Sequence, residues 1–126
     1  IAAGLLLKFM RNEMGLDVFG ITYEERETHI GLPVVYGKSQ DPAIINSSAP
    51  SDLYFIDGDH SYEAVKADYE NYKDKCKYMA FHDILGLRSC EGVAALWNQV
   101  KLQHEYWEFI CPDLGTASGI GVIKIK

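Results

Sequence analysis

Asp57, Asp59, His60, His82 and Asp83 are the residues of this chain whose types and spacing could do chemistry. Two carboxylates and an imidazole can hold Mg²⁺ or a softer divalent ion and leave positions open for substrate oxygens, which makes Asp57, His82 and Asp83 candidate metal ligands. Imidazole exchanges protons near neutrality, so His60, three residues after Asp57, is the candidate general base, with Asp57 beside it as the second catalytic group. A cation or a base at this place would help to deprotonate a hydroxyl, the step that precedes attack by oxygen on an electrophile. Asp59 is expected to anchor the loop or the start of the next helix instead.

The elements that must position these residues are legible on either side. Leu53 to Ile56 is an uninterrupted apolar run, expected as a strand buried on both faces, and Asp-Gly-Asp follows where it leaves the core. Ser61 is placed to cap a helix over 61–76, with Glu63 in its first turn. Lys77 to Phe81 forms the next buried strand, and His82-Asp83 closes it. Ligands of open α/β sheets sit beyond such carboxyl ends. Earlier, Leu5 to Met14 recurs at helical spacing and stops at Gly15; strands are expected at 16–21 and 32–36, a helical turn at 43–45, and strands at 52–57 and 77–82. Later, Val93, Leu96, Trp97 and Val100 make one stripe of a helix over 91–103, and strands at 106–111 and 119–125 form an antiparallel hairpin across Pro112 to Ser118. The class is α/β: a three-layer sandwich around a mostly parallel sheet.

At 126 residues the chain is the size of a single domain. Apolar residues are 48% and charged residues 24%, which excludes a disordered or fibrous chain. A net charge of −6 with scattered Lys and Arg argues against nucleic acid and for small molecules or proteins as partners, with a small-molecule substrate expected. No run suits a membrane span or a secretory signal, so the expectation is a cytoplasmic protein without a membrane partner. Cys76, Cys90 and Cys111 have no close-spaced partner and are expected as reduced thiols. Tyr62 stands beside the acidic cluster, while the other aromatics sit at core spacing.

Phe55-Ile56-Asp57-Gly58-Asp59-His60-Ser61-Tyr62-Glu63, then Ala80-Phe81-His82-Asp83-Ile84, then Gly92-Val93 to Trp97, resemble the second half of a class I S-adenosylmethionine-dependent methyltransferase of the small-molecule O-methyltransferase type, catechol- and sugar-directed enzymes included. Gly37-Lys38-Ser39-Gln40-Asp41 is similar to the turn that holds the adenine end of the cofactor in the catechol enzymes. The resemblance implies a Rossmann-like fold, S-adenosylmethionine as cofactor with Gly37, Ser39, Gln40 and Asp57 against it, and a divalent cation such as Mg²⁺. Family members bind the ribose through an acidic residue at the end of the strand matching 16–21; Thr22 stands there, and Glu24 is the nearest substitute. Their glycine-rich first strand, central in the sheet, has no counterpart here, so an N-terminally truncated domain is expected, as is poor cofactor affinity. The gap predicts that residues 16–21 pair directly with 52–57 or that a second copy supplies a strand, giving a homodimer. Two other functions fit some of the residues: a Rossmann-like binding module without catalysis, and a phosphotransferase, because Asp57-Gly58-Asp59 resembles the two-aspartate motif of haloacid-dehalogenase-type enzymes.

Overall fold

The computed structural model describes residues 3–110 and 119–126; Cys111 and the connection from Pro112 to Ser118 lie outside them. The chain forms two compact units, Ile1–Ser47 and Ser48–Lys126. In the first, α1 (Ala3–Asn12) ends where Gly15 takes the left-handed backbone (φ 67°) that lets Leu16 N donate back to Met10 O at 3.1 Å. That return uses up the residues after Gly15, so the strand expected at 16–21 begins only at Gly20. β1 (Gly20–Thr22) pairs in parallel with β2 (Val34–Tyr36) in a sheet of two strands. α1 packs tightly on Gly20, since a Cβ there would stand 3.2 Å from Leu7 Cδ1. α2 (Pro42–Ser47) opens with proline in its first turn, and Asp41 Oδ1 accepts from Ala43 N at 2.8 Å.

The second unit holds a mixed sheet in the order β3-β4-β6-β5, made of β3 (Ser51–Ile56), β4 (Cys76–His82), β5 (Glu105–Phe109) and β6 (Ile120–Lys124). β3 and β4 run parallel, and β6 is antiparallel to both of its neighbours. The direct pairing of residues 16–21 with 52–57 does not occur: β1 pairs with β2, and β3 pairs with β4. α3 (Tyr62–Tyr72) and α4 (Glu91–Val100) each continue into a short 3₁₀ turn. The α3 cap agrees with the sequence, for Ser61 Oγ accepts from Ala64 N at 3.4 Å.

Both helices of this unit pack on the same face of its sheet. Side chains alternate along a strand, and Tyr54, Ile56, Met79, Phe81, Gly121, Ile123, Tyr106 and Glu108 share one side by register. Tyr72 stacks on Tyr54 at 4.9 Å, Tyr69 lies 6.3 Å from Phe81, and Trp97 lies 5.8 Å from Phe81 and 6.0 Å from Tyr106. Met79, Phe81, Val65, Trp97 and Ile123 are the largest fully buried side chains. The opposite side carries Leu53, Tyr78 and Trp107, each about two-fifths exposed at 43%, 38% and 41%. Within this unit the layering is therefore helices on sheet, with one face covered. Leu53 to Ile56, expected to be buried on both faces, is instead an exposed to half-buried strand with only β4 hydrogen-bonded to it among the described residues. No described helix is long and apolar enough to cross a membrane.

Glu108 ties β5 to α4: its Oε1 accepts from Trp97 Nε1 at 2.6 Å and from Lys101 Nζ at 2.9 Å. These two donors, Trp97 foremost, hold the Glu108 carboxyl below its ordinary range. A carboxyl that titrates lower folded than unfolded stabilises the fold above its unfolded pKa, about 4.3, and loses that contribution as pH falls through the folded value. Glu108→Gln is therefore expected to flatten the acid limb of a thermal-unfolding profile below about pH 4.3 and to lower stability near neutrality by about 1 kcal/mol.

Candidate metal centre

Ile56 pairs with Phe81 in the parallel register, so Asp57, the first residue past β3, and His82, the last of β4, stand side by side at the carboxyl edge. Asp83 follows with φ 63°, a left-handed conformation that aspartate tolerates better than most residues but that still costs on the order of 1 kcal/mol. The turn is held by Asp83 N donating to Gly119 O at 3.0 Å and Asp83 O accepting from Gly86 N at 3.2 Å. It brings the Asp83 carboxylate back against the imidazole of its own neighbour.

The loop after β3 supplies the fourth group. Asp59 Oδ1 accepts from Ser61 N at 2.8 Å, an Asx turn that holds the Asp59 carboxyl below the usual range and sets the start of α3. Asp59, the second aspartate of the phosphotransferase motif, is thus engaged in the anchoring role. Tyr62 donates its hydroxyl to Gln99 Oε1 at 2.8 Å, fastening the start of α3 to α4. Gly92 completes the contact: a Cβ there would overlap His60 O and Tyr62 N, so only glycine lets the first turn of α4 lie against this backbone.

Two overlapping trios of ligand atoms result, Asp57–His82–Asp83 and His60–Asp83–Cys90, which share Asp83. Asp83 Oδ2 lies 2.9 Å from His82 Nδ1 and 3.2 Å from His60 Nε2; Asp57 Oδ1 lies 3.6 Å and 3.8 Å from the same two nitrogens. Both nitrogens are closed to solvent, and neither finds a hydrogen-bond partner despite this proximity. An ion with bonds of about 2.1 Å sets neighbouring ligands about 3.0 Å apart at right angles and about 3.4 Å apart in a tetrahedron, so Asp57, His82 and Asp83 suit one divalent cation. A buried nitrogen without a hydrogen bond is costly, and coordination would satisfy His82 Nδ1.

Cys90, buried at the cap position of α4, also reaches the cluster, with Sγ within 4.8 Å of the ligand atoms of His60 and Asp83. Burial pushes its thiol pKa up, and the charge of Asp83 adds to this. Nothing in the sequence pairs Cys90 with His60, thirty residues earlier; the signal is Gly92 in the first turn of α4, which marks a close approach without naming its partner.

Of the remaining candidates, Glu24, Gly37, Ser39 and Gln40 belong to the first unit, at the carboxyl ends of β1 and β2. Gly37 N donates to Thr22 O at 2.8 Å, which joins the two strand ends. Glu24 pairs with Arg26, whose guanidinium holds the carboxyl below its ordinary range. Gly37 is also a close approach, since a Cβ would run into Ile44 Cδ1. His104, without an assigned role in the sequence, lies 3.2 Å from Tyr69 Oη. Comparison with family models, with curated proteins and with solved structures finds no match to this chain.

Proposed function

We propose that this chain is an S-adenosylmethionine-dependent methyltransferase domain of Rossmann-like layout that acts on an oxygen of a small molecule, with Asp57, His82 and Asp83 holding a divalent cation. The observation that carries the reading is the convergence of Asp57 Oδ1, His82 Nδ1 and Asp83 Oδ2 at the carboxyl ends of the parallel pair β3 and β4. The motif through Asp57 to Glu63, the parallel strands joined by α3 and the antiparallel β6 support the family reading.

Bound at this place, a cation supplies Lewis acidity that lowers the pKa of an acceptor hydroxyl and fixes its oxygen. The chain's own residues supply the rest. Asp57 and Asp83 concentrate negative charge that attracts the cation and sets its place. The βαβ segment holds the ligands on rigid elements, which methyl transfer needs because attack on a sulfonium carbon must be in line. Gly37, Ser39, Gln40 and Glu24 stand at strand ends with a glycine turn, side-chain polar groups and a carboxylate, a set able to hydrogen-bond an adenosine.

Two measurements test this. In a Mg²⁺ or Co²⁺ titration followed by calorimetry, Asp83→Asn is expected to weaken binding at least roughly tenfold with the circular dichroism spectrum unchanged. Mass spectrometry after incubation with S-adenosylmethionine, the cation and a panel of catechols and sugars is expected to find S-adenosylhomocysteine for the native chain and less for Asp83→Asn. Saturable cation binding with neither binding nor turnover of S-adenosylmethionine would remove the methyltransferase reading and leave a metal-binding module.

A further inference from the structure

We infer that His60, Asp83 and Cys90 form a second divalent-cation site, separate from the Asp57–His82–Asp83 centre, that takes a thiol-accepting ion of the zinc type. It goes beyond the centre proposed above and has Asp83 alone in common with it.

The grouping of the donors comes first. One ligand atom each from His60, Asp83 and Cys90 lie within 4.8 Å of one another, and the same holds separately for Asp57, His82 and Asp83. A carboxylate has two oxygens and about four lone-pair sites, so one aspartate can serve both groups. Asp83 is held for this by its turn, with Asp83 N on Gly119 O and Gly86 N on Asp83 O. Its Oδ2 stands 2.9 Å from His82 Nδ1 and 3.2 Å from His60 Nε2.

Donor chemistry separates the two sites. Asp57, His82 and Asp83 are an oxygen-rich set, whereas His60, Asp83 and Cys90 offer one nitrogen, one oxygen and one sulfur. Imidazole with thiolate suits zinc, and three protein ligands leave a tetrahedral position open for water or substrate. His60 Nε2 is closed to solvent and without a hydrogen bond, a state that coordination ends. Cys90 is buried, and its thiol donates to Arg88 O at 3.6 Å. Coordination replaces that weak bond: the Sγ–metal bond forms as the thiol proton leaves to solvent.

The frame brings these donors together from separate elements. His60 lies on the loop before α3 and Cys90 caps α4; Gly92 lets the two backbones close, since a Cβ there would overlap His60 O. Tyr62 Oη on Gln99 Oε1 fastens the same pair of helices at 2.8 Å. The His60 side chain is 36% exposed, which gives the ion a way in from solvent.

The test uses the chelator-stripped chain with Zn²⁺, Cd²⁺ and Mg²⁺ as probes. Cd²⁺ is expected to give an ultraviolet sulfur-to-cadmium band in the native chain and in Cys76→Ala, and none in Cys90→Ser. His60→Gln and Cys90→Ser are each expected to weaken one Zn²⁺ equivalent at least roughly tenfold, leaving Mg²⁺ affinity and the circular dichroism spectrum unchanged. Asp57→Asn should do the reverse, weakening Mg²⁺ and sparing the sulfur band, and Asp83→Asn should weaken both. A native chain that binds Cd²⁺ without the band overturns the inference whatever the variants do, and so does a band that survives in Cys90→Ser. If Zn²⁺ binding depends on Asp57, His82 and Asp83 but not on His60 or Cys90, the second site falls and the three-ligand centre stands. If it depends on His60, Asp83 and Cys90 but not on Asp57 or His82, the second site stands and the three-ligand centre falls.

Discussion

Gly92→Ala is expected to destabilise the protein by about 3 kcal/mol and to lower metal affinity with it. Two effects oppose each other at this position. Alanine is the better helix former, which alone would stabilise α4 by about 1 kcal/mol. Against that, the new methyl would overlap His60 O and Tyr62 N and crowd the Ser61 carbonyl carbon, which are backbone atoms without a rotamer to escape into. Overlap therefore outweighs propensity, and the strain is relieved only if α4 withdraws from the start of α3. His60 and Cys90 sit on the two sides of that contact, so withdrawal spreads the ligands. Urea unfolding with a parallel Co²⁺ titration checks both effects; a Gly92→Ala protein as stable as the parent, with unchanged affinity, would contradict the close approach.

Trp97→Ala has the larger expected cost to stability, about 3–5 kcal/mol. The indole is 1% exposed and lies against Gly121 of β6, whose missing side chain makes its room. It is also the donor that holds Glu108 on β5. Removing it opens a cavity between α4 and the sheet and leaves the Glu108 carboxylate with Lys101 alone. A domain has roughly 5–15 kcal/mol in total, so the variant should approach its threshold and unfold well below the native melting temperature. Trp97→Phe keeps most of the ring and loses the hydrogen bond, and its cost is expected to be about half. Equal costs for the two replacements would mean that the hydrogen bond, and not the packing, dominates.

The βαβ segment from Ser51 to His82 was legible because each of its signals is local: apolar runs of strand length, Ser61 before a helical stripe, and charge at both strand ends. From these alone Asp57, His60, His82 and Asp83 fall at one edge, and in the structure they meet there. Three features were not legible. Leu53 to Ile56 reads as a strand covered on both faces, yet apolarity says only that a strand avoids water, and it does not say how many layers are present to cover it. Residues 16–21 read as a short strand with Gly20 inside it, but after the Gly15 reversal the paired backbone starts only at Gly20. Cys90 escaped for a third reason: its place beside His60 is a packing result of Gly92, and packing partners carry no sequence spacing.

The strand order β3-β4-β6-β5 has a consequence for biosynthesis. Among the described residues β5 is hydrogen-bonded to the sheet only through β6, which is made after it, so residues 105–109 cannot pair until residues 120–124 have been synthesised. The ligand-bearing β3–α3–β4 segment has no such dependence, for its strands pair with each other directly. A nascent chain can therefore pair β3 with β4 first and close its sheet last, and the Asp83 turn, which Gly119 O holds, is completed only with that closure.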